Sequence, residues 1–448
     1  MMEKVVNNLM FKTTKSPEEI INLFNTKKTD TDWSFVQYKP SDTGKWSHNY
    51  HRYPAKFIPQ LVERLLYEYA PHKEASINDP FMGSGTTIVT AISKGFKASG
   101  TDINKIAHLI TKVKSTPIEP EYLNKKIEQL ISRLKVLDVT HTNDQIEPLI
   151  PQKHIDRINY WFTEENKNEL GKILRVIYDE NDEVIRNFFL VAFSHILKSC
   201  SMWLQKSTKP TKDLTKKPVK PYDAFRKHLI KMQKGNDVFY KVVPANVREN
   251  LNKYLNIEIG DAKKQPVPDE SIDLVITSSP YVTSYQYADL HQLSTIWLDL
   301  ADDLTEYKNR FIGASCKNYE NRRLRSSIAA DIVDKMFKKS KKMAREIETF
   351  FIDMEDVFDE SFRILKHGGR CCYVIGNTKL KGIDILNAEV FAESLQYSGF
   401  TFDRLIKREI PLKILPQKRN EKTGRFANNH EANFEAYPVE YIVVYLKR

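Results

Sequence analysis

The sequence is poor in cysteine: its 448 residues include only Cys200, Cys316, Cys371 and Cys372, none of them in a CxxC pair. No His pair sits at metal-ligand spacing beside them, so neither a disulfide scaffold nor a structural zinc site is expected, and a reducing cytosol fits. Adjacent Cys371 and Cys372 fall in a strand-like run, point to opposite faces and read as small core residues. Long apolar runs are also missing. The first residues, MMEKVVNNLMFKTTKS, lack the apolar stretch of a signal peptide. The most apolar helical run, from Val184 to Leu204, is interrupted by Arg186, His195 and Lys198, which suits a buried helix better than a membrane span. A soluble cytoplasmic protein without membrane contact is expected. No internal repeat is visible, and the low-complexity sequence is one Lys/Pro/Thr stretch from Lys206 to Lys220.

What is present is ordinary for a globular chain, with 41% apolar and 28% charged residues. The length allows one large core or two to three domains. Lys and Arg number 69 against 58 Asp and Glu, a net charge of +11 that favours an anionic partner without specifying one. Strand patterns fall at Ser76–Asp79, Lys97–Asp102, Asn256–Gly260, Ile272–Thr277, Arg370–Ile375, Thr401–Lys407 and Val439–Leu446. Helical periods such as Pro59–Tyr69, Thr87–Lys94 and Ile347–Leu365 lie between them, which argues for a mostly parallel sheet with helices on both faces. The alternation breaks from about Lys105 to Lys253, where amphipathic runs at Leu123–Leu137, Pro151–Ile177 and Glu183–Leu204 predict an inserted helical unit. The expected organisation is therefore a polar lead-in over 1–44 (with a helix near Pro17–Asn25), a first part of the α/β domain over 45–104, the insertion over 105–253 and a second part of that domain over 254–448. The last carries a Lys/Arg-rich insertion over 301–342.

The first strand runs into Asn78-Asp79-Pro80-Phe81-Met82-Gly83-Ser84-Gly85-Thr86-Thr87 and then a helix. Two glycines two apart let the backbone turn tightly and approach a ligand, with helix N-terminal amides beside it. The string resembles motif I of the amino-group DNA methyltransferases, most like the N4-cytosine type. That resemblance implies a Rossmann-like sheet of seven strands with the last antiparallel, and S-adenosyl-L-methionine as cofactor. Asp79, Phe81, Gly83, Gly85 and Thr86 would then face the cofactor. Upstream, His51-Arg52-Tyr53-Pro54-Ala55-Lys56-Phe57 is similar to motif X of the family, which implies cofactor contacts from Tyr53, Ala55, Lys56 and Phe57. Asp102, followed by Ile103, ends the second strand, where a carboxylate either accepts ribose hydroxyls or caps the next helix. Asp261 resembles the position that contacts adenine, and equally suits a solvated turn. The missing third glycine of the dinucleotide fingerprint argues against a nicotinamide enzyme.

The strand pattern Ile272–Thr277 runs into the turn Ser278-Ser279-Pro280-Tyr281. Hydroxyls and an aromatic at the carboxyl edge of an α/β sheet stand where ligands bind. The turn resembles motif IV of the family, written Asp-Pro-Pro-Tyr in adenine enzymes and Ser-Pro-Pro-Tyr in most N4-cytosine enzymes, with Ser279 the departure. Some N4-cytosine enzymes share that variant. The resemblance makes Ser278, Ser279, Pro280 and Tyr281 catalytic. Acceptors aimed at the two amine hydrogens would raise the reactivity of nitrogen, the mirror image of an oxyanion hole. Tyr281 would give a flat face to a base flipped from the duplex. No Cys in the motif argues against C5 chemistry. Downstream, Tyr285 and Tyr287 either wall the pocket or pack, and His291 is a base or a structural histidine.

Double-stranded DNA is the expected partner. Arg-rich segments are the better contacts, since Arg grips phosphate or guanine bidentately, and Arg322, Arg323, Arg325, Lys418, Arg419 and Arg425 are the candidates. A helical Lys run, Lys335–Lys342, reads as a solvated face. Motif I precedes motif IV with the largest insertion between the second and third strands, which matches neither common motif order, so the target is read by the helical insertion, by 301–342, or by both. The expected activity is N4-cytosine methylation, with N6-adenine methylation, an RNA base methyltransferase or an inactive DNA-binding relative as alternatives. A nucleoid setting beside a cognate restriction endonuclease, as a monomer or dimer, completes the expectation. Phosphate contacts make one outcome measurable: affinity for any duplex should fall steeply as salt rises in a titration series, and a flat response would remove the basic segments from the interface.

Overall fold

The computed structural model describes residues 14–53, 58–139, 146–207, 209–282, 287–314, 322–410, 418–419, 434–435 and 439–448. Seven strands form the central sheet: β1 (Ser76–Asp79), β2 (Lys97–Asp102), β3 (Leu255–Ile259), β4 (Ile272–Ser278), β5 (Leu365–Ile375), β6 (Thr401–Glu409) and β7 (Val439–Leu446). Their order is β3-β2-β1-β4-β5-β7-β6. Strands β1 to β5 pair in parallel, while β7 is antiparallel to both β5 and β6. This is a Rossmann-like α/β sheet, with the last strand reversed as expected.

Period-two alternation divides the strand residues between two layers. Leu274, Ile276, Cys372 and Val374 pack with Leu61, Leu65, Ile88 and Ile92 on one face. Val275, Cys371 and Tyr373 meet Phe351, Met354, Phe358 and Phe391 on the other. The two adjacent cysteines thus face opposite layers. From residue 14 onward, the segment read as a polar lead-in is packed into this body. The helix Pro17–Thr26 opens with a Ser16/Glu19 capping box and buries Ile20 and Phe24, and Trp33 is buried beneath the Arg64 guanidinium, 4.0 Å from its ring.

Between β2 and β3 the chain is helical, and its apolar faces converge on a third core of Ile110, Leu123, Trp161, Ile173, Phe193 and Phe225. Leu293, Ile296 and Trp297, from the helix Gln292–Trp297 after β4, complete that core. The periodic run Pro151–Ile177 is broken rather than continuous. Thr163 accepts from the Asn166 amide and starts a fresh helix, Glu164–Tyr178. The Lys335–Lys342 run is likewise split, because the Ser340 hydroxyl caps a new helix at Lys341.

Trp297 sits 1% exposed, with the Phe162 and Phe193 rings edge-on at 5.5 and 5.7 Å. Trp297→Ala should cost about 3–5 kcal/mol in chemical denaturation; a loss below about 1 kcal/mol would mean that this core does not hold the helical unit together.

Candidate active site

The strand order turns outward from β1 through β2 to β3 and resumes on the other side of β1 with β4. At such a reversal the turns after two neighbouring strands diverge and leave a crevice at their carboxyl ends. Here the β1 turn and the β4 turn meet in one cleft. Phe81, Met82, Gly83, Ser84 and Thr86 form one wall, Ser278 and Pro280 another, and Tyr53, Asp102, Ile103 and Asp261 the remainder of the sequence-derived set.

The β1 turn is held from outside. Gly83 and Gly85 have φ of 51° and 76°. A Cβ on Gly85 would lie 2.8 Å from the Thr111 side chain, and one on Gly83 would lie 3.2 Å from the Tyr53 ring. The Thr111 hydroxyl donates to the Gly83 carbonyl at 3.0 Å, and the buried Lys114 ammonium donates to the Ser84 carbonyl at 3.2 Å. Both donors lie on the helix Lys105–Ser115, which also feeds the third core. With its carbonyls held from behind, the turn presents backbone to the cleft.

Asp102 settles between its two readings. The helix cap is Asn104, whose Oδ1 accepts from the Ile106 amide at 3.1 Å. The Asp102 carboxylate lies in the cleft wall and accepts from the Gly83 amide at 2.9 Å and the Asn104 amide at 2.8 Å. Burial outweighs those bonds and pushes its pKa up to about 6. Asp261 is at once turn and wall: Oδ1 accepts from the Lys263 amide at 3.0 Å while the residue borders the cleft.

Several expected residues lie behind the wall rather than on it. Asp79 is 1% exposed, and its Oδ1 accepts from the Phe81 amide at 3.1 Å and the Thr277 hydroxyl at 2.7 Å. It acts as a strut between the two turns, with its pKa raised to about 6 by burial. Its distance from the cleft follows from the pleat, which turns this side chain inward. Gly85 supports the turn from beneath. Ser279 is buried and its hydroxyl has no hydrogen-bond partner among the described residues, as is true of Ser84. Tyr281 stands beside the cleft with its hydroxyl donating to Glu440 at 3.0 Å; Glu440 in turn pairs with the buried Arg408 at 3.0 Å. That chain fixes the direction of the ring. His291 is structural in placement: its ring meets the Asn104 amide at 3.1 Å and lies 4.9 Å from the Tyr53 ring. Burial lowers its pKa to about 4 and keeps it neutral.

Ala55, Lys56, Phe57, Tyr285 and Arg425 lie outside the described residues, as do the side chains of Tyr287, Lys418 and Arg419. Arg322 forms a two-pronged pair with Asp356 at 2.7 and 2.8 Å. Arg325 is tied to Glu355 at 3.3 Å and Asp359 at 2.9 Å, so it clips its segment to the helix Lys341–Ile364. Arg323 is exposed.

Sequence reasoning missed Arg310, Phe311 and Ile312, which close the cleft. They lie inside the Lys/Arg-rich segment over 301–342, which the sequence offers as a candidate for target recognition rather than as cleft wall. The Tyr307 hydroxyl donates to Asn104 at 2.7 Å on one side, and the Gly313 amide donates to Asp353 at 2.9 Å on the other. The tripeptide therefore spans from the end of β2 to the neighbourhood of Lys263, which pairs with Asp353 at 3.0 Å.

The residues fit the expected cofactor. The glycine turn leaves no room for a Cβ, carboxylates stand after β2 and β3, and two buried hydroxyls beside the turns lack partners. Fold and cleft together define a Rossmann-like methyltransferase. The profile of the N6/N4 DNA methylase family matches residues 5–113. Type II methyltransferase M.MvaI of Kocuria varians is 28% identical over 432 residues, covering 90% of this chain and 92% of its own. Type II methyltransferase M.BsoBI of Geobacillus stearothermophilus is 24% identical over 422 residues, covering 81% of each chain. A solved S-adenosylmethionine-dependent methyltransferase from Methanosarcina mazei superposes with a TM-score of 0.30 at 9% identity, over 86% of this chain and 96% of its own; the fold assignment rests on the strand order instead. By these likenesses the chain is similar to amino-group DNA methyltransferases, type II enzymes among them.

Two outcomes follow. Gly85→Ala should lose about 1–3 kcal/mol of stability in a denaturant titration, through its positive φ and the Thr111 contact. Cofactor affinity should weaken as pH falls through about 6, where Asp102 takes up a proton, and Asp102→Asn should flatten that profile at the weak limit; a variant as tight and as pH-dependent as wild type would remove Asp102 from the site.

Proposed function

We propose that this chain methylates the exocyclic N4 of a cytosine flipped out of duplex DNA. The observation that carries the reading is the meeting of the Gly83 turn and Ser278 in one cleft. When bound, S-adenosyl-L-methionine supplies a sulfonium methyl for direct displacement, so orientation is the main contribution of the chain. The turn at Gly83, with Phe81, Thr86, Ile103 and Tyr53, holds the cofactor, Asp102 accepts from the ribose and Asp261 from the adenine.

The amine of cytosine is a weak nucleophile because its lone pair is delocalised into the ring. The Ser278 hydroxyl and the Ser279 carbonyl accept its two N–H bonds and favour the tetrahedral nitrogen that attacks. As the N–C bond forms, positive charge grows on nitrogen, and acceptors already in place stabilise it without reorganising. Pro280 sets the turn, and Tyr281 stacks on the base. Stacking on one aromatic contributes roughly 1–3 kcal/mol, comparable to the few kcal/mol that unstacking costs. A serine as the first residue of the motif supports N4 of cytosine over N6 of adenine. The helical unit over 105–253 and the segment over 301–342 flank the cleft as the target-reading parts, and a cognate restriction endonuclease is the fitting partner for a type II enzyme in the cytoplasm.

Mass spectrometry of nucleosides from an expressing host should show N4-methylcytosine, lost by at least about 100-fold in Ser278→Ala. Tyr281→Ala should lose methylation while holding cofactor affinity within about twofold of wild type. Appearance of N6-methyladenine in place of N4-methylcytosine would overturn the choice of base, and a fully active Tyr281→Ala would remove the stacking role.

A further inference from the structure

Beside the cleft, cations gather without counter-charges. The helices Glu183–Cys200 and Pro221–Val242 touch where the His195 and His228 rings stack 3.6 Å apart and nearly parallel. The segment leading into the cleft lies along this pair. His51 bonds the Ser194 hydroxyl at 2.9 Å and sits 5.6 Å from the His195 ring, and His228 donates to the Tyr50 carbonyl at 2.7 Å. Each of these three elements carries a cation within a turn of the contact: Arg52 next to His51, Lys198 beyond Ser194 and His195, and Lys231 beyond His228.

Some lysines of the helical unit are paired, as Lys112 with Glu183, Lys126 with Glu180 and Lys153 with Asp302, while Lys216, beside Lys198, bonds only the Lys198 and Trp203 carbonyls among the described residues, at 2.8 and 2.7 Å. Arg52, Lys198 and Lys231 form no ion pair among the described residues. Lys198 is half-buried and held by the Ser207 carbonyl at 2.8 Å. Burial first and the nearby Arg52 next lower its pKa to about 8, and the same two causes lower that of Lys231. The stacked histidines are kept neutral by burial, His228 with its pKa near 4, so they add no charge of either sign. Lys198 is half-buried while Arg52 and Lys231 are exposed; like charges crowded together are unfavourable alone, and an arriving anion relieves their repulsion. Arg52 also directly precedes Tyr53, which lines the cleft, so a strand that follows these cations passes the mouth of the cleft.

We propose that Arg52, Lys198 and Lys231 form a phosphodiester-binding row for the DNA strand that carries the target base. The row rests on the reading of the chain as a DNA methyltransferase and names where the helical unit grips its substrate: at the seam with the core rather than on the Arg322–Arg325 segment, whose Arg322 and Arg325 already have carboxylate partners. Phosphate contact through Arg is two-pronged and through Lys a point charge, so the row supplies affinity and register without reading sequence.

The test is a salt series of duplex binding by fluorescence anisotropy, on wild type and Lys198→Gln/Lys231→Gln, with cofactor affinity measured in parallel. The double variant should bind duplex roughly 10- to 100-fold more weakly at low salt, with the log–log salt slope shallower by about 1.8, or about 0.9 for each phosphate no longer neutralised. Cofactor affinity should not change. Lys198→Arg/Lys231→Arg should keep the wild-type slope, which separates lost charge from lost packing. An unchanged slope in the glutamine variant beside a steep wild type overturns the row alone. Absence of methylation by wild type strikes the enzymatic reading instead, since the slope is read without turnover.

Discussion

The hydrogen bond from the Thr277 hydroxyl to the buried Asp79 carboxylate joins the ends of β1 and β4, two strands that are neighbours in space and nearly two hundred residues apart in sequence. Everything proposed for the cleft depends on that closeness. The Thr87 hydroxyl reinforces it by donating to the Ile276 carbonyl at 3.2 Å. With the carboxylate satisfied by Thr277 and by the Phe81 amide, the polypeptide can turn immediately after each strand, and the two turns face one crevice. A parallel sheet offers such a place only where its winding reverses, and this sheet reverses between β1 and β4.

The helical unit is tied to that crevice more closely than an appended module would be. Its first helix, Lys105–Ser115, gives one face to the third core and, through Thr111 and Lys114, two donors to the glycine turn. Burying the Lys114 ammonium is tolerable because it meets a carbonyl that the turn leaves unused. Tyr53, His291 and Asn104 extend the link, since the His291 ring connects the wall residue Tyr53 to the residue that caps the same helix. Cofactor pocket and helical unit therefore share a boundary, and the row of cations lies along its outer edge.

The sheet was legible because its strands alternate with helical periods and are bounded by turn residues, and six of the seven lie within about two residues of their expected ends, while β5 begins five residues early, at Leu365. The glycine turn and the Ser278–Tyr281 turn were legible for a different reason, as residue strings that few other purposes require. Side-chain direction was not. Asp79 sits in the same string as Gly83, yet the pleat sends it behind the wall, and Ser279 is buried beside an exposed-edge serine. Arg310 to Ile312 were hidden because closure of the cleft comes from a tertiary return of the chain, anchored by Tyr307 and Gly313, that no local period encodes. Partners of charged residues were not legible either: Arg322 and Arg325, expected as DNA contacts, meet Asp356, Glu355 and Asp359 on the helix Lys341–Ile364. Conversely, Arg52, Lys198 and Lys231 are scattered in sequence and gather only after folding.

The most direct test of the account is a crystal structure with S-adenosylhomocysteine bound. The ligand should lie between the Gly83 turn and the Arg310–Ile312 segment, ribose hydroxyls on Asp102 and sulfur turned toward Ser278. A ligand seated elsewhere, or one whose sulfur faces away from Ser278, would contradict the shared pocket on which the proposed chemistry stands.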